Sequence, residues 1–252
     1  MEWKEERECL LGLAGPALPA LAAGVTCDNV HHNFTWFQWT DGASQDVQGV
    51  RAPIETRKDG SLCDPSVNPG TNDSSWIMIQ QFNSADNVVQ IGYYRYWKNG
   101  TSTLCKFWAK HGGVAQPYDC GNLSDNFFTW FTIHPTSDGA HYVIADCGNG
   151  GDYIGCTTES SNQAVYSNPV GDVAQEEWWG CGLHIFGAST NKQQVGASGS
   201  FVQGEGTGLN WSARTWNSQP DNCGNGTWGT AYNHTQDNNG QIMYFWDDRN
   251  NS

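Results

Sequence analysis

Trp76-Ile77-Met78-Ile79-Gln80-Gln81-Phe82, a polar break at Asn83-Ser84-Ala85-Asp86-Asn87, and then Val88-Val89-Gln90-Ile91-Gly92-Tyr93-Tyr94-Arg95-Tyr96-Trp97 decide the fold of this chain. Both apolar runs are rich in β-branched and aromatic residues, and the break between them is made of turn formers. The segment therefore reads as a long antiparallel hairpin. Working outward, the same pattern recurs. Upstream, Asp46–Ile54 alternates toward a turn at Lys58-Asp59-Gly60, and Cys63–Ser75 reads as a loop with two prolines. Downstream, strands are expected at Leu104–Lys110, Phe127–His134, His141–Asp146, Trp178–Phe186, Gly196–Gln203, Asn210–Trp216, Thr227–Tyr232 and Ile242–Trp246, with turns at Asn99-Gly100 and Asp138-Gly139. Short strands at regular spacing with turn residues between them mean a sandwich or a closed barrel.

Composition supports an all-β chain. With 13 Trp, 30 Gly and charged residues at only 15%, the sequence is poor in helix formers, which argues against a helical bundle and a doubly wound α/β fold. The formal net charge is −14 over 252 residues. Phosphate backbones and anionic membrane surfaces reward Lys and Arg, so nucleic acid is excluded as an expected partner. Acidity of this kind serves solubility, and it also suits work at low pH, where protonation relieves self-repulsion.

Residues 9–24 form an apolar run ending in small residues, with Ala20-Leu21-Ala22 as the small-x-small pattern of a cleavable leader. The run is shorter than the span of about 20 residues that a membrane needs, and it contains Pro16 and Pro19. Met1–Glu8 departs from the usual basic start, carrying four Glu against Lys4 and Arg7. The expected organisation is a signal-peptide-like leader at 1–26 and a single β domain at 27–252, secreted and without a membrane span.

Nine Cys occur, and setting aside Cys9 in the leader leaves Cys27, Cys63, Cys105, Cys120, Cys147, Cys156, Cys181 and Cys223. An even set in a secreted chain reads as a disulfide framework, and no C-x-x-C supports zinc instead. Proximity pairs Cys105 with Cys120 and Cys147 with Cys156. Glycan acceptor sequons begin at Asn33, Asn72, Asn99, Asn122, Asn210, Asn225, Asn233 and Asn250, and those that carry glycans mark exposed loops.

Hydrolase, nucleotide-binding and zinc-protease signatures are absent. His31-His32 is the one adjacent histidine pair, and neighbours on a strand point to opposite faces, so neither a metal nor another cofactor is expected. The carboxylates at Glu176-Glu177 precede Trp178-Trp179. A carboxyl beside apolar rings loses solvation of its charged form, which raises its pKa and suits general acid or base work. The competing reading is a solvated turn. Glu205 and Asp247-Asp248 read as loop and tail carboxylates.

Ser75-Trp76-Ile77-Met78-Ile79 followed by Val88-Val89-Gln90-Ile91-Gly92 resembles the fungal glutamic peptidases (eqolisins), which carry S-A-W-V-G-I and then I-L-Q-T-G. The Trp-to-Gln separation is the same, Pro65-Ser66 matches a preceding Pro-Ser segment, and Ala174-Gln175-Glu176-Glu177-Trp178 falls near the family's A-E-[FW] motif. The likeness spans roughly 47–202 and extends to neprosin-type secreted domains. It implies an antiparallel β-sandwich of the lectin or jelly-roll kind, and an acid peptidase acting on polypeptide without a cofactor. On this reading Glu177 is the acid/base with Glu176 as the alternate, and Gln90 is the amide that orients water and donates to the oxyanion. Trp76, Gln80 and Trp178 line the site. Departures are visible: Gln80 stands where the family has Asp, and no carboxylate occurs near Lys106–Trp108, where the family's Y-E-W strand has one. The alternative is a non-catalytic sandwich that binds a glycan or a surface through Tyr93, Tyr94, Tyr96, Trp97, Trp108 or Trp130.

Overall fold

The computed structural model describes residues 32–38, 47–58, 62, 72–81, 84, 87–110, 113–149, 156–178, 193–196, 202–205, 210–213, 217–220, 232–236 and 242–247. Among them are sixteen strands and no helix: β1 His32–Gln38, β2 Gly49–Glu55, β3 Asn72–Gln81, β4 Val88–Lys98, β5 Thr101–Lys110, β6 Gln116–Tyr118, β7 Phe128–Pro135, β8 His141–Asp146, β9 Thr157–Ala164, β10 Pro169–Trp178, β11 Gln193–Val195, β12 Val202–Glu205, β13 Asn210–Ala213, β14 Asn217–Pro220, β15 Tyr232–Gln236 and β16 Met243–Asp247. They form two antiparallel sheets. One has seven strands in the order β14-β1-β10-β3-β4-β5-β6; the other has nine, following β15-β16-β11-β2-β7-β8-β9, with β12 on β2 and β13 on β12. The arrangement is the expected β-sandwich.

The hairpin that opened the sequence reading is β3–β4, closed where the Gln81 N–H donates to the Asn87 carbonyl at 2.9 Å. It leads directly into β5 through a two-residue loop, Asn99-Gly100, whose φ values of 52° and 74° match the positive-φ turn that follows the twist of the strands. Strand alternation does the rest. Ile77, Ile79, Val89, Ile91, Tyr93 and Val173 of the first sheet pack against Val50, Ala52, Ile54, Phe131, Ile133, Tyr142 and Ile144 of the second, and this is the main core. Tyr93 ties the sheets with its hydroxyl, which accepts from Thr56 at 2.6 Å and donates to Thr129 at 2.8 Å.

Several expectations need correction. Asn72-Asp73-Ser74-Ser75 was expected to be loop but begins β3, because Asp73 and Ser75 are buried between the sheets and Asp73 pairs there with Arg95 at 3.6 Å. A strand was expected from Trp178 onward, whereas β10 ends there and 179–192 lie outside the described residues. The strand at β9 was not anticipated, because Thr157–Ala164 is a polar edge strand with little apolar alternation. Cys105–Cys120 and Cys147–Cys156 are bonded as proximity indicated. The leader, Cys27, Cys63, Cys181, Cys223, Asn225 and Asn250 lie outside the described residues. Of the other sequons, Asn99 and Asn122 are exposed, and Asn72 is half-buried at the start of β3.

Candidate active site

The first sheet has a second face, turned away from the main core. Alternation assigns to it Ser74, Trp76, Met78 and Gln80 of β3, Val88, Gln90, Gly92, Tyr94 and Tyr96 of β4, and Cys105, Phe107 and Ala109 of β5. Trp76, Met78, Phe107 and Ala109 are buried and make a smaller apolar cluster, with Val88, Tyr94 and Ala115 against it. Three adjacent strands therefore present one continuous apolar floor, interrupted by a few polar groups.

Register sorts them into rows. Gln90 pairs with Met78, and Met78 pairs on its other side with Asp172. All three occupy one face, and strands about 4.8 Å apart put the Cα atoms of Gln90 and Asp172 about 10 Å apart. Between them the Gln90 amide donates to the Met78 thioether at 3.3 Å. A thioether is a weak acceptor, so this N–H is held in place and is readily surrendered to a stronger one. Asp172 is fully buried, half-buried Gln90 reaches the surface, and Trp76 is buried two residues along from Met78. Gln80, half-buried, follows Met78 on the other side.

Glu176 stands in register with Ser74 and Tyr94, four residues along β10 from Asp172 and hence about 13 Å from the Gln90 row. Position 177 has the opposite parity and pairs with Asp73. Asp73 belongs to a polar layer inside the sandwich: Arg95 reaches it at 3.6 Å and donates to the Arg57 carbonyl at 3.3 Å, and Arg57 pairs with Glu55 at 3.1 Å and donates to Asn126. Burial lifts the Glu55 carboxyl above its ordinary range, against the opposing pull of the Gln194 backbone N–H and Arg57. Position 178 pairs with Asn72 and, through it, Tyr96.

Sequence reasoning passed over Asp172. It lies in Val170-Gly171-Asp172-Val173, and a Gly-Asp pair reads as a turn. The one signal that could have found it is alternation, since Val170, Asp172 and Ala174 share a parity.

The aromatic candidates also separate by face. Tyr93 lies in the core, Trp108 packs against it, and Trp130 is covered by the Arg51 guanidinium at 5.6 Å. Tyr94 and Tyr96 alone of the six are on the second face; they stack at 4.9 Å and 22°, and Tyr94 meets Phe107 at 5.6 Å. Where the family motif places a carboxylate, Lys106 points the other way. It bridges Asp146 of the second sheet at 2.9 Å and Asp119 at 3.2 Å. Burial lowers the pKa of Lys106, but Asp146 and Asp119 outweigh it and hold the ammonium above its ordinary value. Among the described residues no His, Cys, Asp and Glu cluster could hold a metal ion.

No family model matches the chain, and no curated protein matches it. Solved structures do match by fold. A scytalido-glutamic peptidase, crystallised with a transition state analog inhibitor, aligns over 86% of this chain and 98% of its own at 10% identity, with a TM-score of 0.54. SCP-B, a member of the Eqolisin family of peptidases in complex with the tripeptide Ala-Ile-His, aligns over the same shares at 10% identity with a TM-score of 0.44. The disulfide-bonded β-sandwich of this chain is thus similar in fold to a glutamic peptidase.

Proposed function

We propose that the chain is a secreted acid hydrolase that cleaves polypeptide between the two walls of this face. The observation that carries the reading is the row Gln90–Met78–Asp172, on a fold similar to that of a glutamic peptidase. β3 is the floor, β4 supplies the amide wall and β10 the carboxyl wall. Once this buried row opens to substrate, a water held over Met78 gives one proton to the Asp172 carboxylate as its oxygen attacks the scissile carbonyl. The Gln90 amide leaves the Met78 sulfur and donates to the oxyanion. The new carboxylic acid then protonates the leaving amine as the C–N bond breaks, which restores the carboxylate. Glu176 and Glu177 are the carboxylates favoured by motif; Asp172 is favoured by its row. Secretion is supported by disulfides, which persist in oxidising compartments.

The test is digestion of a denatured protein between about pH 2 and 7 by the wild type and by Gln90→Ala, Asp172→Asn, Glu176→Gln and Glu177→Gln. The expected result is acid cleavage lost in Gln90→Ala and Asp172→Asn and kept in the other two. Loss in Glu176→Gln or Glu177→Gln with Asp172→Asn active would move the carboxyl role to that Glu. A folded wild type without activity at any pH would turn the assignment to a glycan-binding sandwich.

A further inference from the structure

The second face continues past the cleavage row, and what lies there is a ladder of rings. Phe107 is buried, Tyr94 meets it at 5.6 Å, and Tyr96 stacks on Tyr94 at 4.9 Å and 22°. Tyr94 and Tyr96 are both half-buried. Phe107 meets Tyr94 at a tilt of 46°, and the stacked pair is Tyr94–Tyr96.

A substrate cleaved between Gln90 and Asp172 has one wall on each side, so its backbone runs parallel to β3. An extended peptide has the same two-residue period and nearly the same rise as the strand beneath it. The Tyr94 row is four residues from the Gln90 row and has Gly92 and Trp76 between. A side chain four residues from the cleaved bond therefore meets the sheet at Tyr94, next to Tyr96.

Building on the proposed peptidase, we propose that the Tyr94–Tyr96 stack is a subsite that takes an aromatic side chain of the substrate four residues from the cleaved bond. The apolar surroundings of Tyr94 suit a ring: it packs against the cluster of Trp76, Met78, Phe107 and Ala109. Its row also holds Ser74, Cys105 and position 176, and Asn72 and Thr103 flank Tyr96, so a saccharide is the competitor the test must separate. Burial, with Tyr96 and Asp73 nearby, pushes the Tyr94 phenol up to about 12, so Tyr94 is uncharged throughout the acid and neutral range.

The experiment separates binding from cleavage. Labelled ten-residue peptides with Phe scanned through an otherwise Ala-Gly-Ser sequence are titrated into Gln90→Ala by fluorescence anisotropy, and the same peptides are digested by the wild type with cleavage sites read by mass spectrometry. The expected result is about tenfold tighter binding of Phe peptides than of the Phe-free parent, consistent with one buried stacking contact. Tyr96→Ala in the same background abolishes that ratio, while Tyr96→Phe keeps it. Cleavage by the wild type falls four residues from the Phe. Equal binding of Phe peptides and the parent, or a ratio that survives Tyr96→Ala, overturns the subsite even if cleavage is found. A Phe preference without cleavage at any pH leaves the ring site standing and overturns the peptidase and the four-residue spacing. Displacement of the peptide by an oligosaccharide of higher affinity replaces the aromatic ligand with a sugar.

Discussion

Gly92 is the position at which the structure makes its sharpest quantitative demand. It pairs with Trp76 on one side and Phe107 on the other, in the row that separates Gln90 from Tyr94. A Cβ built there lies 2.0 Å from the Ser75 carbonyl oxygen, 2.7 Å from the Trp76 Cα and 2.9 Å from the Ser75 carbonyl carbon. All three are backbone atoms of a central strand, so no rotamer change relieves them. Ordinary contact begins near 3.4 Å, so Gly92→Ala forces β3 and β4 apart by more than 1 Å at this point. Overpacking of this kind costs about 3 kcal/mol, the upper end of the usual range. The smaller conformational freedom of Ala in the unfolded chain returns about 0.5–1 kcal/mol. The net loss of about 2–2.5 kcal/mol corresponds to a drop in Tm of roughly 5–10 °C for a domain of this size. Thermal melts followed by circular dichroism, with urea unfolding as a check, measure it directly. The same displacement moves the amide of Gln90 relative to Met78, so on the proposed mechanism cleavage falls further than folding does. A Gly92→Ala protein that melts within 1–2 °C of the wild type would refute the close approach of the two strands.

Three further outcomes follow from particular contacts. Tyr93→Phe leaves the Thr56 and Thr129 hydroxyls without their shared partner inside the core, and urea unfolding should show a loss of about 1–3 kcal/mol with an unchanged slope. Removing the Cys105–Cys120 bond by a double Ser substitution opens a loop with a sequence separation of 15 and should cost about 3 kcal/mol, read as a lower Tm under non-reducing conditions. Burial of His134 lowers its pKa below 6.5, so between 6.5 and that lower value the unfolded chain holds more protons and stability falls as pH falls. Glu55, raised above 4.5 by burial, acts with the opposite sign: from its raised value down to 4.5 the folded chain takes the proton first, and acidification stabilises. Urea midpoints at pH 7.5 and 5.5 should therefore show a smaller acid loss in His134→Gln, and midpoints at pH 5.5 and 4.5 a larger one in Glu55→Gln; midpoints shifting equally in all three proteins would contradict both assignments.

What was legible in the chain itself is what neighbours in sequence decide. The β3–β4 hairpin, the Asn99-Gly100 turn and the short-range Cys105–Cys120 and Cys147–Cys156 bonds all follow from local propensity, turn chemistry and short loops. So do Gln90 and Trp76 as members of one face, because a strand's period is two. The proposed carboxyl partner was a different problem. β10 enters the sheet beside β3 from some ninety residues downstream, and its register is set by pairing Asp172 with Met78 and Glu177 with Asp73. A slip of one residue would exchange the two faces and bury a different carboxylate. Sequence alone could offer Glu176 and Glu177 by motif, but only non-local pairing could rank them against Asp172. The same holds for the ring ladder: Tyr94 and Tyr96 are two apart in any strand, yet Phe107 joins them only because β5 folds back along β4. Local chemistry determined the strands and turns of this protein, and the hydrogen-bonded register between distant strands decided which side chains share a row.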